Sequence, residues 1–192
     1  MNDSMRSIPD VGRIEKRLIA LQKKKDIVQE LSRDAIRAAG KSITLMHAGK
    51  MKGAGSEMKR LAALILKLKK AEKGFEYFST QAHQEYVEAR AFYIILKERR
   101  LASAGELRVR EIPYLLGIMD LTGELKREAI EAMRDGDTKL ANEYYGFMKG
   151  IYDSTRAMRF ANSLVPEFRR KQDTARIQVE STASELLGAT SR

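Results

Sequence analysis

Between Pro9 and Ala48, the apolar residues Ile14, Leu18, Leu21, Val28, Leu31, Ala35, Ala38 and Leu45 recur mostly at three- and four-residue steps or their multiples. That spacing is the stripe of one long amphipathic helix. Such a helix would be about 60 Å long, whereas a compact chain of this size has a radius of gyration of roughly 16 Å. It is therefore expected to overhang one subunit and to invite assembly. The glycine cluster Gly49, Gly53 and Gly55 predicts the break that follows. Beyond it the periodicity predicts helices over 56–73, 75–101, 111–134, 138–162 and 166–188, joined by short polar or glycine-containing links. Pro9, Pro113 and Pro166 each stand just ahead of a helix-periodic stretch, where a missing N–H costs little. No strand-like alternation of useful length occurs. The chain reads as all-α: residues 1–192 form a single-domain antiparallel bundle of six to seven helices with a long first helix.

Charge adds a direction to this picture. The 36 Lys and Arg exceed the 26 Asp and Glu by ten, and residues 1–73 hold 18 of the former and 8 of the latter, so the whole excess sits in the first third. A concentrated basic surface points to a polyanionic partner, because phosphate contacts release counterions; the plain alternative is a solvated basic helix. The absence of Cys excludes thiolate chemistry, and two histidines, His47 and His83, leave any metal to carboxylates. Gly40-Lys41-Ser42 mimics the end of a phosphate-binding loop, but Ala35 stands where that motif needs Gly. The longest apolar runs, Leu61–Leu66 and Ala91–Leu96, are six residues each, so no membrane span is expected. No secretory pattern opens the chain, and a cytoplasmic location is the default expectation.

The acidic residues are more pointed. Glu85 and Glu88 are three apart on one predicted helix, and Asp120 and Glu124 are the only charged residues in YLLGIMDLTGEL, four apart on the next. Two carboxylate pairs on helices that otherwise want burial are costly unless a cation or partner offsets desolvation and repulsion. Four oxygen donors suit Mg²⁺ or Mn²⁺; the alternative is that each pair is a charged patch bridged to neighbouring helices. A di-iron bundle is excluded, since Thr44 and Thr80 occupy the places where Glu would precede each histidine. Tyr144, Tyr145, Phe147, Tyr152 and Phe160 are read as core rather than as base-stacking platforms, and His47 as a core or interface histidine.

On these residues the chain resembles the translin family, and within it the TRAX subunit. The likeness rests on Glu85-Tyr86-Val87-Glu88-Ala89 and on Tyr114 to Leu125, joined by Ser32 to Asp34, Lys41-Ser42-Ile43 and Leu45-Met46-His47, with an echo at Tyr152-Asp153. The resemblance implies an all-helical subunit that assembles into a closed shell, often an octamer, with nucleic acid inside. It implies that Glu85, Glu88, Asp120 and Glu124 bind a divalent ion and carry phosphodiester hydrolysis. The chain is shorter at both ends than eukaryotic TRAX, without a basic import signal, which favours a self-assembling prokaryotic-type homologue.

The function expected is thus a Mg²⁺- or Mn²⁺-dependent endoribonuclease acting on RNA, and on single-stranded DNA as well, since no residue identifies a reader of the 2′-hydroxyl. Glu88 is the nominated base for the attacking water, and Arg33, Arg37 and Lys41 would hold backbone phosphates. Two alternatives stand beside it: an all-helical nucleotide pyrophosphohydrolase, and a translin-like shell that binds RNA without cutting it.

Overall fold

The computed structural model describes residues 10–190. Seven α-helices follow in order: α1 Val11–His47, α2 Met51–Ala71, α3 Thr80–Glu98, α4 Ala104–Leu107, α5 Glu111–Arg134, α6 Thr138–Thr155 and α7 Phe168–Thr190, with a 3₁₀ turn at Glu76–Ser79 leading into α3. No strand occurs among the described residues, so the all-α expectation holds. α5 has the predicted bounds. Pro9 lies outside the described residues.

The helix α3 organises the rest. On one side Ala82 and Ala89 pack with Val28, Ala35 and Ala39 of α1 and Leu61, Ile65 and Leu68 of α2. On the other, Val87, Phe92 and Ile95 pack with Leu121 and Leu125 of α5 and Met148 and Ile151 of α6. Burying each large side chain contributes about 1.5–3 kcal/mol. A helix covered on two sides is apolar around most of its girth, and carboxylates in its middle, such as Glu85 and Glu88, are half-buried from the outset.

The end of α1 agrees with the periodicity and several other boundaries differ from it. α1 ends at Gly49, whose φ of 67° suits glycine; there Gly49 N donates to Met46 O and Lys50 N to Leu45 O. Gly53 and Gly55 are not breakers but lie inside α2: a Cβ at Gly55 would stand 3.0 Å from the Tyr93 hydroxyl, and one at Gly53 would touch Leu45. α3 starts five residues later than its pattern, because Glu76–Ser79 winds as 3₁₀. α6 stops at Thr155 rather than 162, where the Gln172 amide of α7 takes the carbonyls of Thr155 and Met158. The short α4, capped by the Ser103 side chain, was not foreseen.

The expected overhang is present. The first buried residue of α1 is Val28, and Val11, Ile14, Leu18, Ile19, Leu21 and Ile27 are all exposed, Leu18 to 58%. No helix of the described residues is long and apolar enough to cross a membrane.

Candidate active site

The two acidic pairs meet because α5 lies unusually close to α3. A Cβ at Gly117 would fall 2.6 Å from Gln84 O and 2.8 Å from Val87 Cβ, closer than non-bonded atoms approach. Glycine at this crossing lets the backbones touch between Glu85 and Glu88 on one helix and one turn ahead of Asp120 on the other. All four carboxylates are half-buried.

Their electrostatics are shared. Burial, then the charges of Asp120, Glu85 and Glu124, push Glu88 from its ordinary value near 4.5 up to about 8. Glu85 is also raised, by burial first and Asp120 second, against an opposing pull from Lys171. The α5 carboxylates have cationic partners instead. Lys171 Nζ of α7, with a side chain 11% exposed, donates to both oxygens of Asp120. His47, at the last turn of α1, bonds Glu124 through Nε2 and Glu128 Oε1 through Nδ1 at 2.6 Å. Burial works against a charged His47, but the hydrogen bonds to Glu124 and Glu128 outweigh it and raise the imidazole to about 9. The ring is therefore an imidazolium at neutral pH, donating from both nitrogens and fixed 5.1 Å from the Phe92 ring.

A cleft of about 750 Å³ opens onto this cluster, reaching Glu85 and Asp120 past Tyr77, Gln81, Arg170 and Lys171. Glu85 and Asp120 thus meet Lys171 and Arg170 in the cleft, with Glu88, Glu124, Glu128 and His47 behind them. The donor set is hard oxygen with surplus negative charge, which fits Mg²⁺ or Mn²⁺ chemically. It is not an assembled cage: among the described residues no three acidic or histidine side chains are grouped closely enough to hold an ion, because Asp120 is turned to Lys171 and Glu124 to His47. Coordination requires those two carboxylates to exchange their cations for the metal.

The bridged-patch alternative therefore describes the α5 pair, while Glu85 and Glu88 have no ion pair among the described residues. Arg33, Arg37 and Lys41 are all exposed, on the side of α1 turned away from the buried Ala35, Ala38 and Ser42. Arg37 is bonded to Asp34 and Lys41 to Glu57 at 2.5 Å, whereas Arg33 has no carboxylate partner among the described residues. Three residues of the site escaped the sequence reading: Lys171, Glu128 and His47. Only His47 carried a signal, in the Leu45-Met46-His47 stretch.

With this geometry in place, relatives become informative. The Translin family profile matches residues 13–182. The chain belongs to the Translin family. An uncharacterized protein of Methanocaldococcus jannaschii is 35% identical over 112 residues, 58% of this chain and 50% of that one. Translin-associated protein X of Pongo abelii is 32% identical across 38% of this chain and 37% of its own length. The chain thus matches half or less of the length of these curated relatives. Among solved structures, AfC3PO in complex with duplex RNA superposes with a TM-score of 0.87 at 31% identity, covering 94% of this chain and 96% of that one. The apo form of NeC3PO, at 24% identity, shares the fold with a TM-score of 0.85 over 95% of this chain and 98% of its own. The TRAX-like resemblance and the helical translin architecture are thereby established.

Proposed function

We propose that this translin-family chain is a divalent-metal-dependent endoribonuclease that works inside a self-assembled, nucleic-acid-binding shell. The observation that carries the reading is the electrostatic coupling of Glu88 to Glu85, Asp120 and Glu124, all half-buried, with a cleft reaching Glu85 and Asp120. The similarity to AfC3PO, a protein solved with duplex RNA, supports a nucleic-acid substrate and an oligomeric form; an octamer is the assembly proposed. The exposed apolar start of α1 supplies the surface for it.

A bound Mg²⁺ or Mn²⁺ would polarise the scissile phosphate and lower the pKa of an attacking water. The chain supplies the rest. Lys171 and Arg170 at the cleft wall hold phosphate oxygens. Glu88, with a proton affinity matched to neutral pH, accepts the proton of the water once its neighbours are neutralised. His47 acts as a positioning residue, holding Glu128 and releasing Glu124 when that carboxylate turns to the metal. The free guanidinium of Arg33, with Arg37 and Lys41, tracks the phosphate backbone outside the site. No side chain among the described residues is marked as a reader of the ribose 2′-hydroxyl, so single-stranded DNA is included in the proposal.

The test is incubation of purified protein with end-labelled duplex RNA, single-stranded RNA and single-stranded DNA, and with nucleoside triphosphates, each in Mg²⁺, Mn²⁺ or EDTA. Internal cuts that require the metal are expected. Release of pyrophosphate instead would identify a pyrophosphohydrolase, and retention without cutting would identify a binding shell; either overturns the proposal. Light scattering checks the oligomer.

A further inference from the structure

On the far side of α7 from Lys171, the turn between α6 and α7 encloses a second cavity of about 280 Å³. Positions 169, 172, 173 and 176 share one helical face that lines it, whereas Lys171 points the other way to Asp120. Its walls carry four guanidinium groups, from Arg156, Arg159, Arg169 and Arg176, against one carboxylate, Asp173. Arg156 and Arg176 pair outward with Asp153 and Glu180 at 3.6 and 3.2 Å, and Arg159 folds onto the carbonyls of Arg156 and Met158. Arg169 has no carboxylate partner among the described residues.

The remaining lining is not that of a plain basic patch. Phe160, read from the sequence as core, is 45% exposed, and its ring is held edge-on against the buried Phe168 at 5.0 Å. Gln172 is 9% exposed and spends its amide N–H groups on Thr155 O at 2.6 Å and Met158 O at 3.2 Å. That locks the amide plane and leaves its oxygen as the acceptor available to a ligand. A guanidinium fork matches phosphate, an aromatic face takes a base, and a fixed acceptor beside Asp173 takes a base N–H. The volume lies at the lower end of small-molecule pockets, roughly 300–1,000 Å³, enough for one nucleotide and too small for a duplex.

We propose that this cavity binds one nucleoside monophosphate unit, free or as the phosphorylated end of a nucleic-acid strand, with the phosphate on Arg169 and the base against Phe160. It is distinct from the carboxylate site and needs no metal.

Isothermal titration of the full chain in EDTA with AMP, adenosine and inorganic phosphate tests it, and EDTA keeps the result independent of any cleavage. Saturable AMP binding is expected, with adenosine and phosphate each at least ~10-fold weaker. Arg169→Glu and Phe160→Leu should each weaken AMP by about 10-fold, as loss of a phosphate contact or a stacked base does; the leucine keeps an apolar contact with Phe168. Arg134→Glu, the same charge change on an exposed α5 site, should leave AMP binding within about two-fold. Thermal melts check that the variants fold. Hexanucleotides with a 5′-phosphate or a 5′-hydroxyl distinguish the source: a phosphate-dependent gain over AMP, erased by Arg169→Glu, assigns the cavity to strand ends, and its absence assigns it to free nucleotides. No saturable AMP binding at millimolar concentration, unchanged binding in both cavity variants, or an equal loss in Arg134→Glu would overturn the proposal.

Discussion

The two acidic pairs are alike in sequence and opposite in circumstance. Asp120 and Glu124 on α5 are each met by a cation from a distant helix, whereas Glu85 and Glu88 on α3 face mainly other carboxylates. The difference follows from position in the bundle. His47 from the last turn of α1 and Lys171 from α7 bond the α5 carboxylates directly, whereas Glu85 and Glu88, on a helix between two apolar layers, feel Lys171 only through its charge. The unbalanced charge of the site is therefore stored on α3, and the exchangeable cations are those bonded to the α5 carboxylates.

The strongest way to break this contrast is Asp120→Asn, which removes one donor and releases Lys171. Cleavage of labelled RNA should fall by more than ~100-fold, since even loss of an outer partner of a metal ligand costs about 10–100-fold. RNA binding should hold or tighten, because repulsion against phosphate is relieved. Equal activity in variant and parent would end the catalytic assignment. Next comes Gly117→Ala, whose Cβ would collide with backbone at Gln84 and with Val87. Overpacking of this kind costs about 1–3 kcal/mol, and urea denaturation should show it as a lowered midpoint together with weaker divalent-ion affinity.

Lys171→Met sharpens the comparison by making Asp120 as unbalanced as Glu88. Breaking a half-buried pair should cost on the order of 1–2 kcal/mol in EDTA, between the exposed and fully buried cases, and millimolar Mg²⁺ should restore more stability to this variant than to the parent. The smallest effect is a pH slope. Glu88 is raised above its ordinary value near 4.5 to about 8, so between these limits the folded chain holds a proton that the unfolded chain lacks. The associated stability is complete below about 4.5 and is lost as pH rises through about 8. In EDTA the urea midpoint should decline from pH 5.5 to pH 8.5; Glu88→Gln should flatten that decline, and an identical slope in the variant would show that Glu88 is not the group responsible.

Legibility in the sequence followed the range of the interactions. The α5 bounds and the two carboxylate pairs rest on contacts within a helix turn or two, and all could be read from spacing. His47 and Lys171 could not, because each is an ordinary residue on its own helix and meets its partner 77 and 51 positions away. The same holds for α6. At its end a side chain from α7, Gln172, donates to the Thr155 carbonyl from 17 positions away. Gly53 and Gly55 misled for the converse reason, since a glycine that breaks a helix and one that admits a neighbouring Leu45 or Tyr93 look identical in one dimension.

The projecting start of α1 has a kinetic and concentration-dependent meaning. Residues 11–24 make almost no tertiary burial within the subunit, and a helical stretch of that length is marginal in water by itself. In the proposed shell a neighbouring subunit would cover it, which couples folding of this segment to mass action. Dilution should raise amide hydrogen exchange over 11–24 while leaving Val28 onward protected, so that a local exchange rate becomes a gauge of how many subunits have gathered.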